Sequence, residues 1–300
     1  MLARHLQRVL AALMLVALAG CSGTEASAPP APGQQAPPAR SAAPHAADFG
    51  QLERRFDARL GVYAVDTATG EEVAHRADDR FAYASTLKAL TTGAVLQRTP
   101  VEELDRRITY GAQDLVSHSP ITEQHVDTGM ALRAVMGAAV RESDNTAQNL
   151  LMRELGGPAG TGAALRGIGD TTTHVDRTET ELNRTGDIRD TSTPRAMARD
   201  LREFTVGGAL PPDKRAILDD LLRAGPLTAE LIPAGVPGDW VVGDKSGKAD
   251  HGTRNDIGVV RPPGRAPIVL AVMSDREGRD AESDNALIAE ATRVAVGALT

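Results

Sequence analysis

A serine and a lysine stand one helical turn apart in Ser85-Thr86-Leu87-Lys88, which puts a hydroxyl and an amine on one face of a helix starting at Ser85. A lysine kept neutral or partly desolvated there can take the serine proton and make the hydroxyl a nucleophile. Lysine is scarce: of 33 Lys and Arg residues, only Lys88, Lys214, Lys245 and Lys248 are lysine. A retained lysine therefore suggests a need for a compact amine that can lose its proton. Taken alone, the pair more often marks an exposed Ser and Lys on a helix. Two further triplets carry polar groups of the same kind. Ser143-Asp144-Asn145 opens a helical stretch, where Ser or Asp also serves as an ordinary N-cap. Lys245-Ser246-Gly247 ends a strand and equally suits a plain strand end before a turn. The first of these triplets recurs at Ser283-Asp284-Asn285, expected inside the last helix and read as surface, so the pattern is not diagnostic by itself.

These residues need elements to hold them. Residues 49–60 have helical spacing, 61–65 alternate as a strand, and Asp66-Thr67-Ala68-Thr69-Gly70 supplies a turn before a second strand at 72–75. Helical patterns follow at 86–97, 130–141, 146–155 and 159–166. Between 171 and 194 lies a polar stretch without a period, longer than a compact domain tolerates without a task for it. Helices return at 195–204 and 212–223, strands at 240–246, 255–260 and 268–274, and a final helix at 281–298. This order predicts an α/β (α+β) fold. The N-terminal hairpin and C-terminal strands form one antiparallel sheet covered by helices. An all-α lobe packs beside it, with the active site in the cleft between. The sheet lobe is expected from about 48–80 and 195–300, and the helical lobe from about 81–194.

S-x-x-K, S-D-N and K-S-G occur in that order, 58 and then 102 residues apart, at a helix start, a helical-lobe loop and a C-terminal strand. In this combination the chain resembles the penicillin-recognising serine enzymes, in which such motifs line one cleft. The polar stretch contains Arg177-Thr178-Glu179-Thr180-Glu181-Leu182-Asn183 and Arg189-Asp190-Thr191-Ser192-Thr193-Pro194. Both pieces resemble the omega loop of class A serine β-lactamases, here expected at 176–190. Phe81-Ala82-Tyr83-Ala84-Ser85, Ser119-Pro120-Ile121-Thr122 and Gly252-Thr253-Arg254-Asn255-Asp256 extend the likeness from Phe49 to Thr300.

The resemblance implies hydrolysis of the β-lactam ring through an acyl-enzyme on Ser85. It makes Glu179 the deacylating base, with Asn183 helping to hold the water, and leaves open whether Lys88 or Glu179 through a water takes the serine proton. Ser143 would pass a proton to the leaving nitrogen, and the N–H groups of Ser85 and Lys248 would hold the oxyanion. Lys245, Ser246, Gly247 and Arg254 would bind the substrate carboxylate end, Asn145 its side-chain amide, and His118 would stand at the entrance as a stacking wall or plain surface. Arg177 would pair with Asp190 across the loop neck. The sequence departs from the family at three places. The span from Asn183 to Asp190 is about two residues short and lacks a common proline; Lys248 replaces a small or hydroxylated residue, where it would either attract the substrate carboxylate or crowd the cleft; Ala84 excludes a disulfide seen in some carbapenemases. The competing readings are a D,D-peptidase, against which Glu179 argues, and a non-hydrolytic β-lactam-binding sensor lipoprotein.

The first 21 residues carry Arg4 and Arg8, then an apolar run too short to cross a bilayer, then Leu18-Ala19-Gly20-Cys21. This reads as a secretory signal whose end resembles a lipobox, with Cys21, the only cysteine, as the lipidated residue. Residues 22–47, rich in Ala, Pro, Ser and Gln, read as a disordered tether. The catalytic domain is expected from 48 to 300, lipid-anchored on the outer face of the cytoplasmic membrane. A net charge of −7 without a basic stripe argues against nucleic acid. Seven histidines show neither H-x-H nor H-E-x-x-H, so no metal and no cofactor is expected. The expected partners are β-lactam small molecules and the membrane, with the protein a monomer.

Overall fold

The computed structural model describes residues 45–223 and 225–300. The secretory segment, Cys21 and the tether up to residue 44 lie outside the described residues. The fold begins with α1 (Ala46–Phe56), so the last two residues expected in the tether are helical. Phe49 and Leu52 anchor that helix in the core. It stops short of the expected Leu60 because Asp57 turns left-handed at φ 45°, and Arg59 already starts a strand.

The elements that follow are β1 (Arg59–Asp66), β2 (Glu72–His75), β3 (Phe81–Ala82), α2 (Leu87–Arg98), β4 (Arg107–Ile108), β5 (Met130–Ala131), α3 (Leu132–Arg141), α4 (Asn145–Leu155) and α5 (Gly157–Gly167). Then come β6 (Thr191–Ser192), α6 (Pro194–Thr205), α7 (Pro212–Arg223), β7 (Val241–Ala249), β8 (Thr253–Arg261), β9 (Ile268–Asp275) and α8 (Asn285–Gly297). The large sheet runs β2-β1-β9-β8-β7, antiparallel throughout, so the N-terminal hairpin pairs with the C-terminal meander as its sequence order predicts. Strand β7 is left as an edge.

Both faces of the sheet are buried, and period-2 alternation sorts the side chains. Leu60, Val62 and Ala64 of β1, with Ile268, Leu270 and Val272 of β9, join Phe49 and Ile288 on the face covered by α1 and α8. Tyr63, Val65, Val269, Ala271 and Met273 face the opposite way, into the core shared with α2, α6 and the helical lobe. Helix α6 lies under β1, β8 and β9. Helix α7 was expected to go with the sheet lobe. It packs on α2 and α3 as well as β7, and Leu218, Leu221 and Leu222 join the helical core. Helix α2 is central: each residue from Leu87 to Leu96 is buried, Lys88 among them.

Helix ends follow capping chemistry. Asp144 caps α4 by accepting from the N–H of Ala147 at 2.8 Å. The repeated triplet behaves alike. Asp284 caps α8, which starts at Asn285, so Ser283-Asp284-Asn285 opens the last helix where it was expected to lie inside it.

A buried acid pair links α6 to the loop after α5. Asp170 Oδ1 accepts from the N–H groups of Thr172 and Thr173, at 2.6 and 3.1 Å. Its other oxygen and one of Asp200 find no donor among the described residues. Burial, and then the Asp170 charge, push the Asp200 carboxyl up to about 10. The folded chain therefore holds a neutral acid where the unfolded chain ionises near pH ~4, and stability falls as pH rises from that value toward the folded one. Asp200→Asn removes this loss and adds an amide donor for Asp170. Thermal melts should show a gain in Tm that is small near pH ~5 and larger near pH ~9; an equal gain at both would mean that the pair does not share a proton.

Candidate active site

Ser85 lies in a single 3-10 turn (Ala84–Thr86) leading into α2, one residue after Ala84, which is buried at the left-handed φ of 50°. Such a conformation in a non-glycine residue costs about 1–3 kcal/mol and persists only where the surroundings impose it. Three contacts impose it here. Strand β3 pairs with β6, fixing the chain just before the turn. Asn255 of β8 donates through Nδ2 to the carbonyls of Ala82 (2.7 Å) and Tyr83 (3.2 Å). Gly247 packs so tightly that a Cβ there would sit 3.0 Å from Ser85 N and from Tyr83 O, so a side chain at this point of β7 would have to push the nucleophile's peptide aside.

Lys88 projects from the first turn of α2 and is wholly buried, as is Glu179. Its Nζ donates to Ser85 Oγ at 2.6 Å, Asn145 Oδ1 at 2.7 Å and Glu179 Oε1 at 2.7 Å. An ammonium has three protons, and all three are used. Burial lowers the Lys88 pKa, while Glu179 and then Asp144 pull it back up. One buried amine thus bridges the Ser85 hydroxyl and the Glu179 carboxylate.

Glu179 is held at both of its peptide groups by one side chain. Asn149 Oδ1 accepts from Glu179 N at 2.8 Å, and Asn149 Nδ2 donates to Glu179 O at 2.9 Å. Asn183 Nδ2 donates to the free carboxylate oxygen at 2.6 Å. The Glu179–Thr180 peptide is cis. At the neck, buried Asp190 bonds the Arg177 guanidinium and accepts from Tyr83 Oη at 2.9 Å and the N–H groups of Asp176 and Arg177 at 2.9 and 3.0 Å. Arg177 also donates to the Arg184 carbonyl at 2.8 Å.

On the far side, Lys245 of β7 donates to Ser143 Oγ at 3.1 Å and to the Ser246 carbonyl at 2.8 Å. Burial first, then the Lys88 charge, push its amine down to about 7. Ser143 is left-handed at φ 55°, presenting its hydroxyl just before the α4 cap. Asp144 knits this corner by accepting from the N–H groups of Ile121 (3.0 Å) and Thr122 (2.9 Å). Asn145 has both ends of its amide engaged, since Nδ2 donates to the Ser117 carbonyl at 2.9 Å. Arg254 of β8 donates through Nε to Asn285 Oδ1 at 2.8 Å. Lys248 and His118 are exposed, and His118 also has a positive φ of 60°.

The motifs read from sequence therefore meet in one place: Ser85, Lys88, Asn145, Glu179 and Asn183 share a continuous hydrogen-bond chain, and Ser143 and Lys245 form a second pair. Sequence reasoning missed Asn149, Asn255 and Asn285. A signal existed for Asn149, four residues after Asn145 and thus on the same helix face. Asn285 corrects the surface reading of the repeated triplet, because it orients Arg254. No cluster of His, Cys, Asp and Glu suited to a metal occurs among the described residues.

A family model described as the beta-lactamase enzyme family matches residues 45–299. A beta-lactamase of Bacillus amyloliquefaciens is 56% identical over 250 residues, covering 83% of this chain and 82% of that protein. A beta-lactamase of Amycolatopsis lactamdurans is 55% identical over 271 residues, covering 90% and 89%. Among solved structures, a class A beta-lactamase from Clostridium kluyveri is similar with a TM-score of 0.84 and 46% identity, over 85% of this chain and 98% of that one.

The clamp by Asn149 is testable apart from chemistry. Asn149→Ala removes two hydrogen bonds and leaves a peptide N–H and C=O unpaired, which should cost roughly 2–3 kcal/mol in urea unfolding. A loss below about 0.5 kcal/mol would mean that the loop holds its glutamate without this side chain.

Proposed function

Because the chain belongs to the β-lactamase enzyme family, as a class A hydrolase that opens the β-lactam ring and gives resistance to such antibiotics, we propose that Ser85 is its nucleophile and Glu179 its deacylating base. The observation that carries this assignment is the convergence of Ser85, Asn145 and Glu179 on the one buried amine of Lys88.

In acylation, Ser85 Oγ bonds to the lactam carbonyl carbon while its proton passes into the Lys88–Glu179 pair. The N–H groups of Ser85 and Lys248 face the developing oxyanion, and one such donor is worth roughly 3 kcal/mol. Because β7 is the sheet edge, its outward N–H groups have no neighbouring strand to satisfy and are free for this task. The C–N bond then breaks, and the nitrogen takes a proton through Ser143, which the Lys245 amine holds in place. In deacylation, Glu179 and Asn183 position a water. Glu179 takes its proton as the water oxygen attacks the ester, and Ser85 leaves as the hydroxyl. Lys245, Ser246, Gly247 and Arg254 bind the carboxylate end of the substrate, Asn145 the side-chain amide, and His118 lines the entrance. Arg177 and Asp190 act by shaping the loop.

The N-terminal sequence supports secretion and a lipid on Cys21, with the tether holding a monomeric enzyme off the outer face of the membrane. No helix among the described residues is long and apolar enough to cross a bilayer.

With benzylpenicillin, the parent protein should turn over many equivalents, whereas Glu179→Ala should accumulate an adduct on Ser85 visible by intact mass. A stable adduct on the parent itself would instead make the protein a penicillin-binding protein or sensor. Cys21→Ser should move the enzyme from the membrane to the soluble fraction of its host; retention in the membrane would remove the lipid assignment.

A further inference from the structure

Lys248 of β7 stands directly opposite Arg254 of β8 in the strand register. Facing residues of an antiparallel pair project from the same side of the sheet with Cβ atoms roughly 5 Å apart, and like charges there repel. Among the described residues no acid makes direct contact with this rung, and the Asp256 and Glu230 carboxyls act on Arg254 only from a distance. Neither Lys248 nor Arg254 makes an ion pair, although 19 such pairs form across the described residues. The polar partners of Arg254 are uncharged: Asn285 Oδ1 at 2.8 Å and the Gly247 carbonyl at 3.5 Å. The nearby acids are used elsewhere, Glu230 accepting from Asn285 at 2.7 Å and Asp250 pairing with Arg279.

The rung also has a defined place in the site. Ser246 lies two residues before Lys248 on the same side of β7, with Gly247 between them and Lys245, bonded to Ser143, just before. The exposed Lys248 side chain starts at the edge of the sheet, beside Gly247, whose backbone abuts the Ser85 peptide. Two cations held together at a substrate-lined edge, neither in direct contact with an acid, suit an anionic ligand group such as a carboxylate.

Resting on the assignment of Ser85 and Arg254 above, we propose that Lys248 is a specificity-determining residue that shares the ring carboxylate of the β-lactam with Arg254, as a two-cation clamp. Asn285 fixes the direction of Arg254, and Lys248 closes from solvent once the anion is present. The two cations back each other up, so neither alone carries the whole attraction. Lys245 is a poorer third anchor because burial pushes its amine down to about 7, which leaves it only partly charged at neutral pH.

The test is a double-variant cycle on the full protein with Lys248→Gln, Arg254→Gln and both, following benzylpenicillin and reading two quantities. The first is the second-order rate of Ser85 adduct formation by rapid quench and intact mass; the second is steady-state KM and kcat. Lys248→Gln should raise KM and slow adduct formation about two- to fivefold, as for a partly exposed ion pair. It should leave kcat unchanged, because the contact is made equally in ground and transition states. That effect should fade at ~0.5 M salt, where screening acts over a few Å, and Lys248→Arg should restore the parent value. The double variant should lose more than the product of the single losses. An unchanged or lower KM in Lys248→Gln, or strictly multiplicative losses, would overturn the clamp. Failure of the functional reading looks different: the adduct would still form and Lys248 would still affect its rate, but the parent would not turn over. If no adduct forms on Ser85, both readings fall together.

Discussion

A lysine ammonium with no solvent exposure organises this protein. Withdrawing such a charge from water costs several kcal/mol even after relaxation, and only close, complete pairing returns it. Lys88 obtains that pairing from three oxygens, one each from the turn it follows, from α4 and from the long polar loop. The need to deliver a carboxylate to this buried point accounts for much of the surrounding architecture. The loop must be held by its backbone through Asn149, its neck closed on Asp190, and α4 capped so that Asn145 and Asn149 look inward. Stability and chemistry rest on the same contacts: the amine that Glu179 neutralises is also the group bonded to the serine hydroxyl.

The sheet contributes in a different way. Its buried faces make β7, β8 and β9 a rigid plate, and the nucleophile is fastened to that plate by Asn255 and by the close approach of Gly247. The helical lobe supplies Ser143, Asn145 and the clamp on Glu179. The cleft is therefore lined by groups with independent supports, and two of its left-handed residues, Ala84 and Ser143, mark where each support hands over a hydroxyl. Beneath β7, buried Asp244 and Asp256 both have raised pKa values, through burial first, with Thr228 and the Ile232 N–H holding their outer oxygens.

The sequence was informative wherever function is encoded by short local spacing. Ser85 to Lys88 is one turn and Asp144 caps its own helix, so both could be placed on an element before any fold was known, whereas Glu179 and Asn183, in a stretch without a period, were identified by resemblance alone. The sheet was equally legible because its strands alternate or run apolar within their own few residues. Asn255 and Asn285 were not legible, since their partners lie 173 and 31 residues away and nothing local distinguishes them from surface amides. Helix boundaries erred where a left-handed residue or a cap ended a pattern that hydrophobic spacing alone would continue, at Asp57 and Asp284. Helix α7, expected with the sheet lobe, packs on β7 and on the helical core alike because its apolar stripe serves both.

The short loop has a consequence for how freely this scaffold can vary. Every hydrogen bond described above that fixes Glu179 and its loop is made up to Arg184 or at Asp190, and residues 186–189 between them are exposed. Closing a loop shortened by two residues changes the chain entropy by only about 0.1 kcal/mol. Brevity therefore gives the enzyme almost no extra rigidity, and lengthening the segment would take almost none away. Residues 186–189 are therefore where a change in chain length meets none of the hydrogen bonds that hold the glutamate.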